Sequence, residues 1–559
     1  MRKNYFALIK SSVFICGLAY SSFSTAQINL PNLPANMGDV HGNFQATAQY
    51  YIPDSTIGAP AVPEKMLMNG FANIIYTKGK FTAGIRYESY LGALQGFDPR
   101  YQGNGIPYRF ATYKSDALEV TVGNFYQQFG NGLVLRSYEE RGLGFDNALD
   151  GIRLKYEVVK GLYLTGLTGK QRSFMTQGPG IVRGFDGELQ INEAFKKLAD
   201  KKLRLTLGGS FVSRFQKDED PALVLPENVG ASAGRFELNY EDFHLNAEYA
   251  YKINDPNSAN LIGKIYKPGD AQIIMASYAK KGIAVSASAS RADNMNFRSD
   301  REASVNNLLL NYTPALNKNH TYSLLTFYPY ASQPNGEFQF SGEVSAKLIK
   351  KPTWKMDILI NYSGSNNLDT TLLDPTADSI ELMGYTVNSY GPGKQVFFRD
   401  FYIELNQKFG KKIKTSLIYS HQIYNKSVIQ KAGFPFIHSD IFVADISYRL
   451  KKEGTIRLEL QHLSTNDDHK DWGQIMIEYT INSHWFIGVL DQVNYGEKTH
   501  SVSGDYYAQY PNATVGYNKN ANRITLSYGK QRAGIFCVGG ICRQVPASNG
   551  ITLTVSSSF

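Results

Sequence analysis

Cysteine is nearly absent from this chain, with 3 in 559 residues, too few for cross-links to organise the fold. Charge is sparse too: 19% of residues are Asp, Glu, Lys or Arg, against about 25% in soluble proteins. After the first 26 residues no apolar run approaches the roughly 18 that a membrane helix needs, which excludes a bundle of such helices. Aromatic residues run the other way, with 37 Tyr and 32 Phe, while the mean hydropathy is only −0.30. That much Tyr, Phe, Leu and Ile has ample surface to bury, which excludes disorder. Length alone suggests about three or four soluble domains, yet no domain boundary is visible.

The N-terminus carries an export signal. Arg2 and Lys3 form a basic start, Val13 to Tyr20 a short apolar core, and Ser24-Thr25-Ala26 a small-residue end, so residues 1–26 read as a signal peptide cleaved before Gln27. Cys16 follows Phe14-Ile15 rather than a small residue, which argues against lipid attachment. Removing 26 of 559 residues leaves 533, and the net charge falls from +9 to +6 as Arg2, Lys3 and Lys10 depart. That modest excess, not gathered into a stripe, gives no ground for nucleic-acid binding.

The exported chain keeps Cys537 and Cys542, separated by Val-Gly-Gly-Ile. Two glycines let the chain turn back, and an oxidising compartment keeps the sulfurs joined, so a local disulfide is expected. The rival is a metal pair, but no His lies between Ala521 and Phe559 to help complete the roughly four ligands of zinc.

Alternation dominates the rest. Ile551, Leu553, Val555 and Phe559 alternate with Thr552, Thr554, Ser556 and Ser558; Ile524, Leu526 and Tyr528 alternate with Arg523, Thr525 and Ser527. The same period of two runs through Leu203–Leu207, Ile456–Gln461 and Ile475–Thr480. A soluble sandwich and a membrane barrel share this pattern, with the polar face outward in one and luminal in the other. Turn lengths separate them. Short turns through Thr77–Lys80, Val159–Gly161, Lys280–Gly282, Lys350–Pro352, Gly410–Lys412, Lys451–Gly454 and Asn518–Asn520 alternate with longer polar connections such as Arg291–Ser304, Asn425–Ser439 and Ser464–Gly473. Tyr suits the two membrane interfaces, and a terminal Phe559 resembles the insertion signal of outer-membrane barrels.

The fold expected is all-β: a single transmembrane antiparallel barrel over residues 42–559, preceded by an extended leader over 27–41, with short periplasmic turns and long extracellular loops. Twenty-six strands can be counted, including two beginning near Val305 and His320, which gives about 20 residues per strand and connection; evenness and a range of 22 to 26 are firmer than the number. Both termini then lie on the periplasmic side, in the outer membrane of a Gram-negative bacterium. The leader is too short to fold into a plug, so loops or a partner should fill so wide a lumen.

Candidate chemistry is limited. From Gly123 to Arg153 a glycine-rich segment sets Arg136, Arg141 and Arg153 against Glu139, Glu140, Asp146 and Asp150. Two readings stand: a loop folded into the lumen as a constriction or docking surface, or a structural loop whose charges satisfy one another. Gly364 to Gln395 reads as the longest connection; its Asp369, Asp374, Asp378 and Glu381 lack the dense oxygen spacing of a calcium loop. Asp467-Asp468-His469-Lys470-Asp471 reads as a solvated loop tip. Nine scattered histidines, with neither a Gly-x-Ser-x-Gly elbow nor a His-Glu-x-x-His pair, argue against an enzyme, and neither cofactor nor metal is expected. The turn lysines either are ordinary turn residues or form a basic rim for anionic headgroups or a periplasmic partner.

The chain resembles a family of outer-membrane barrels of Bacteroidota with no established activity. The likeness rests on Gly123-Asn-Phe-Tyr-Gln-Gln-Phe-Gly-Asn-Gly-Leu-Val-Leu-Arg136, on Asp146-Asn-Ala-Leu-Asp-Gly151, and on Gly529-Lys-Gln-Arg-Ala-Gly-Ile-Phe-Cys537 through Cys542-Arg543 with Val545-Pro546. It implies localisation and fold. Two functions remain: a porin-like channel or passive transporter with a loop-occluded lumen, its selectivity set by luminal Arg204, Arg457, Glu459, Glu478 and Arg523; or a structural, assembly or secretion-associated barrel that docks a lipoprotein or another outer-membrane protein. Outer-membrane lipids and the outer-membrane assembly machinery are partners under either.

Overall fold

Period-two alternation becomes the two faces of one closed wall in the computed structural model, which describes residues 37–559 apart from 259–263, 304–306, 375–383, 432–435, 451–452, 500–503 and 539–540. The expected signal peptide and most of the expected leader lie outside the described residues. Twenty-four antiparallel strands, from Asp39–Tyr51 to Ser548–Ser558, each pair with their neighbours in sequence, and the last pairs with the first. One extra strand, Tyr506–Gln509, adds to the upper part of Trp485–Thr499 before Asn512–Lys519 takes over. At the seam Phe559 and Gly42 exchange backbone hydrogen bonds of 2.9 Å. A Cβ at Gly42 would collide with the Asn73 carbonyl and the Phe559 ring, so closure there depends on a missing side chain.

The outer face is apolar. Ile475 and Ile477 are 44% and 48% exposed while Gln474, just before them on the opposite face, is buried, the arrangement expected where lipid is the outer solvent. Tyr113, Tyr156, Tyr240, Tyr278, Tyr448 and Tyr479 stand exposed within a few residues of the short-turn ends of their strands, forming an interfacial girdle. A closed wall leaves no unpaired edge in the hydrocarbon, which is what makes strands a viable way to span it. This is an outer-membrane barrel.

All seven short turns fall on the rim that also holds both strand termini, and the long connections fall on the opposite rim. Two connections break the alternation: Ser173 and Thr176 are joined by a tight turn on the long-loop rim, and a helical turn at Ile191–Ala194 lengthens one connection on the short-turn rim.

Three expectations are corrected. The strands expected near Val305 and His320 are not found among the described residues 307–335; a single connection, of which 304–306 lie outside the described residues, joins Ile283–Asp293 to Gly336–Lys350, which reduces 26 to 24. This is also where the expected Arg291–Ser304 connection becomes a much longer one. The stretch from Gly364 to Gln395 is largely a hairpin, because Trp354–Leu372 and Tyr385–Phe409 continue for 19 and 25 residues; its Asp378 and Glu381 lie outside the described residues. The first strand begins at Asp39, inside the expected leader.

Candidate functional site

The lumen is the site, and two loops occupy it. Residues 126–148 and the described residues of 294–335 fold inward and bond to each other through Arg136 N to Leu310 O at 2.7 Å and Tyr312 N to Gly132 O at 2.8 Å. The Arg136 guanidinium lies between the Tyr138 and Tyr312 rings, 4.3 and 3.9 Å from their centres. Asn131 penetrates far enough to donate to Asn246 Oδ1 at 2.9 Å, four positions into its strand from the short-turn rim. Gly130 beside it could carry no side chain, since a Cβ would strike the Glu248 carboxylate.

Two apolar cores hold this plug. Leu133, Val134, Leu135, Phe297 and Leu310 pack against wall residues Val182, Val212, Val229 and Ala250, all at most 2% exposed. Farther along, Leu324, Leu325, Phe327, Tyr328 and Tyr330 pack against Phe398, Ile418, Ile441 and Leu463. Arg532, just past the strand Asn522–Gln531, stacks 3.9 Å over Phe327, and burial lowers its pKa to about 10.

A balanced charge cluster fixes the first loop to the wall. Arg86 binds Glu88 at 2.7 Å, Glu139 at 2.9 Å and also Asp146. Arg172 binds Glu88 at 2.6 Å and Asp146 at 2.7 Å, and Arg141 reaches Glu139 at 2.6 Å. Three cations meet three carboxylates, and Tyr90 and Tyr126 donate to Glu88 and Asp146. Buried charges of this kind persist only when paired and hydrogen-bonded. Sequence spacing did not single out Arg86, Glu88 or Arg172; opposite charges two apart on one strand face were the available signal.

The seven loop charges therefore separate. Only Arg141 and Glu139 pair with each other; Asp146 binds wall arginines, Glu140 accepts from Gly142 N, and Arg136 stacks on tyrosines. Arg153 is luminal, bound to Glu119 at 2.7 Å, whereas Asp150 shares the outer face with exposed Ile152 and pairs with Arg109 at 3.0 Å. Self-satisfaction fails because the loop is pressed against a wall that offers its own partners.

Of the luminal candidates, Arg457 and Glu459 bind each other, with Asp445, Gln461 and Gln474 completing the network. Glu478 stands opposite Arg457. Arg523 lies 5.2 Å over the luminal Phe486 ring, and Arg204 is exposed near the short-turn rim on the face shared with Ser210 and Arg214. Cys537 and Cys542 are joined in a small hairpin on the long-loop rim. Asp468 binds Lys426 at 2.6 Å and Asp467 lies 3.5 Å from His438. Among the described residues no three His, Cys, Asp or Glu side chains converge as a metal site.

The sector around the seam differs from the plugged one. Across Asn512–Lys519, Asn522–Gln531, Ser548–Ser558 and Asp39–Tyr51 the luminal residues are small and polar: Thr514, Ser527, Thr552 and Gln49 in one row, Thr525, Thr554 and Thr47 in the next. All are only half-buried. Toward the long-loop rim this strip is covered, with Tyr51, Val545 and Asn549 buried and Arg543 stacked 4.2 Å over Phe97.

Wall, girdle and plugged lumen define an outer-membrane β-barrel protein. The chain belongs to the family of unknown function DUF6029, whose model matches residues 6–559. No curated protein matches it. Among solved structures it is similar to the translocation pore of the P pilus usher PapC, at 9% identity over 93% of this chain and 99% of that one, with a TM-score of 0.41. It is also similar to a mutant of the ferric enterobactin receptor PfeA of Pseudomonas aeruginosa (10%, 93% and 81%, TM-score 0.44). The outer-membrane protein OpdK of Pseudomonas aeruginosa is similar at 9% over 93% and 98%, with a TM-score of 0.33. These likenesses are too distant to carry a function across.

Proposed function

We propose that the protein is a porin-like channel or passive transporter whose resting lumen is closed by its own loops, with the hydroxyl-lined strip as the solute route. The strip carries this reading, because its half-buried Thr, Ser and Gln side chains can exchange hydrogen bonds with a passing polar solute. Arg523, opposite Ser556 at the strip's periplasmic end, is the charge that sets selectivity there; Arg457 and Glu459 are occupied by each other. Opening requires the cover, where Arg543 stacks on Phe97, to lift. Export by residues 1–26, membrane insertion through Phe559 and the Bacteroidota origin belong to the same proposal.

A second reading, a structural, assembly or secretion-associated barrel docking a lipoprotein or another outer-membrane protein, is favoured by the density of the two apolar cores, which resemble a folded interior more than a tethered gate. Single-channel recording of the full-length protein in planar bilayers separates them. Discrete openings whose ion selectivity shifts in Arg523→Gln support the channel. Silence at every voltage, together with a lipoprotein that co-purifies in stoichiometric amount, overturns it.

A further inference from the structure

Four successive strands bring like charges into line at the periplasmic mouth of the lumen. Lys350 stands opposite Lys355, Lys355 opposite Lys408, and Lys408 opposite Lys414. Directly opposed like charges destabilise a sheet, and adjacent strands are only about 4.8 Å apart, so the row spans roughly 14 Å. All four side chains are exposed, and among the described residues no ion pair or hydrogen bond joins any of them to an acid.

Their direction decides the partner. They share the luminal face with Asn406, Ser416 and Asp445; Lys355, Lys408 and Lys414 line a cavity of about 290 Å³ with them, Lys350 stands at its edge beside Gly282, and Phe409 on the opposite face is exposed to lipid. Lipid headgroups outside the wall are thus on the wrong side. Above the cavity Tyr322 of the plug donates to Asp445 Oδ2 at 3.1 Å, so a solute entering from the periplasm meets a closed end. The nearest acids, Asp357 and Asp445, stand one row farther in, and Asp445 is already bound to Arg457.

We propose that this lysine row is a binding site for a small soluble polyanion bearing two or more phosphate groups, entered from the periplasm. Lysine binds phosphate as a point charge, and a chain of phosphates supplies the several negative charges that a row of four can neutralise. The site is independent of whether the strip conducts.

The test uses the full-length protein in detergent at low salt, with inorganic tripolyphosphate as the probe and sodium chloride matched for ionic strength. A ligand bound only by the folded state raises the unfolding temperature, so tripolyphosphate should raise it for the native chain. Lys355→Gln with Lys408→Gln should do two opposite things: raise the unfolding temperature without anion, because repulsion is relieved, and weaken tripolyphosphate binding at least tenfold. Lys355→Arg with Lys408→Arg should keep the response, and so should Lys78→Gln with Lys80→Gln in a distant turn of the same rim. No response in the native chain, equal loss in the distant-turn variant, or stronger stabilisation by a hexaglutamate peptide than by tripolyphosphate would overturn the proposal.

Discussion

Two sectors of one wall have the same outer face and opposite inner ones. Where the plug lies, luminal positions carry Val182, Val212, Val229 and Ala250, buried to at most 1% exposure, and charges there are paired inside the protein. Around the seam between first and last strands they carry Thr47, Thr525, Thr552 and Thr554, all half-exposed, with Thr47 and Thr554 bonded to each other. Lipid fixes the outer pattern uniformly. The inner pattern records what each sector touches, packed loop or water, so luminal composition maps the filled and unfilled parts of the barrel.

The comparison breaks most completely if the plug is removed. Asp293 already pairs with Gly336, so residues 294–335 can be replaced by a short Gly-Ser turn without disturbing the wall. The expected result is a steady open conductance at least tenfold above that of the native protein in planar bilayers. A variant that folds and stays silent would show that loop 126–148 and the cover seal the lumen alone. Next in size is Glu88→Gln. It leaves Arg86 and Arg172 short of a carboxylate in a site where the charges are 1% to 6% exposed, and breaking a buried pair in this way costs about 3–5 kcal/mol. Leu310→Ala, in the core between the plug and the wall, should cost about 2–5 kcal/mol by opening a cavity, read as a lower urea midpoint for the barrel folded into liposomes.

Much of the wall was legible because lipid imposes a strict rule on it. Ile551, Leu553 and Val555 had to alternate with Thr552 and Thr554, and the lysine-rich turns marked one rim. The plug was not legible for the same reason. Leu308, Leu310 and Tyr312 also fall at every second position, with Leu309 and Asn311 between them, and Asn317-Lys318-Asn319 has the composition of the true turn Asn518-Lys519-Asn520. An apolar side chain pressed against the inner wall leaves the same signature as one facing lipid, so two luminal segments have the sequence pattern of strands. The charge cluster was illegible for a different reason. Arg86 and Glu88 visibly share a face, but Asp146 lies 60 residues beyond Arg86 and Arg172 lies 84 beyond Glu88; only the folded barrel brings them together.

The smallest effect gives the sharpest test of the two sectors, because one substitution can be made in both. Thr554 Oγ1 is 3.3 Å from Thr47 Oγ1 in the strip, while Thr121 Oγ1 is 2.9 Å from Thr112 Oγ1 and accepts from Arg153 at 3.3 Å in the filled sector. Thr→Val removes a hydroxyl and keeps the shape. In the strip the remaining partner can turn to water, so Thr554→Val should cost under about 1 kcal/mol. Thr121 is 2% exposed, and its partners lose an acceptor where no solvent replaces it, so Thr121→Val should cost about 1–3 kcal/mol. Urea midpoints of the two variants in liposomes decide the matter. Equal costs would mean that the strip is as dry as the plugged sector, and the distinction between the two faces would fall with it.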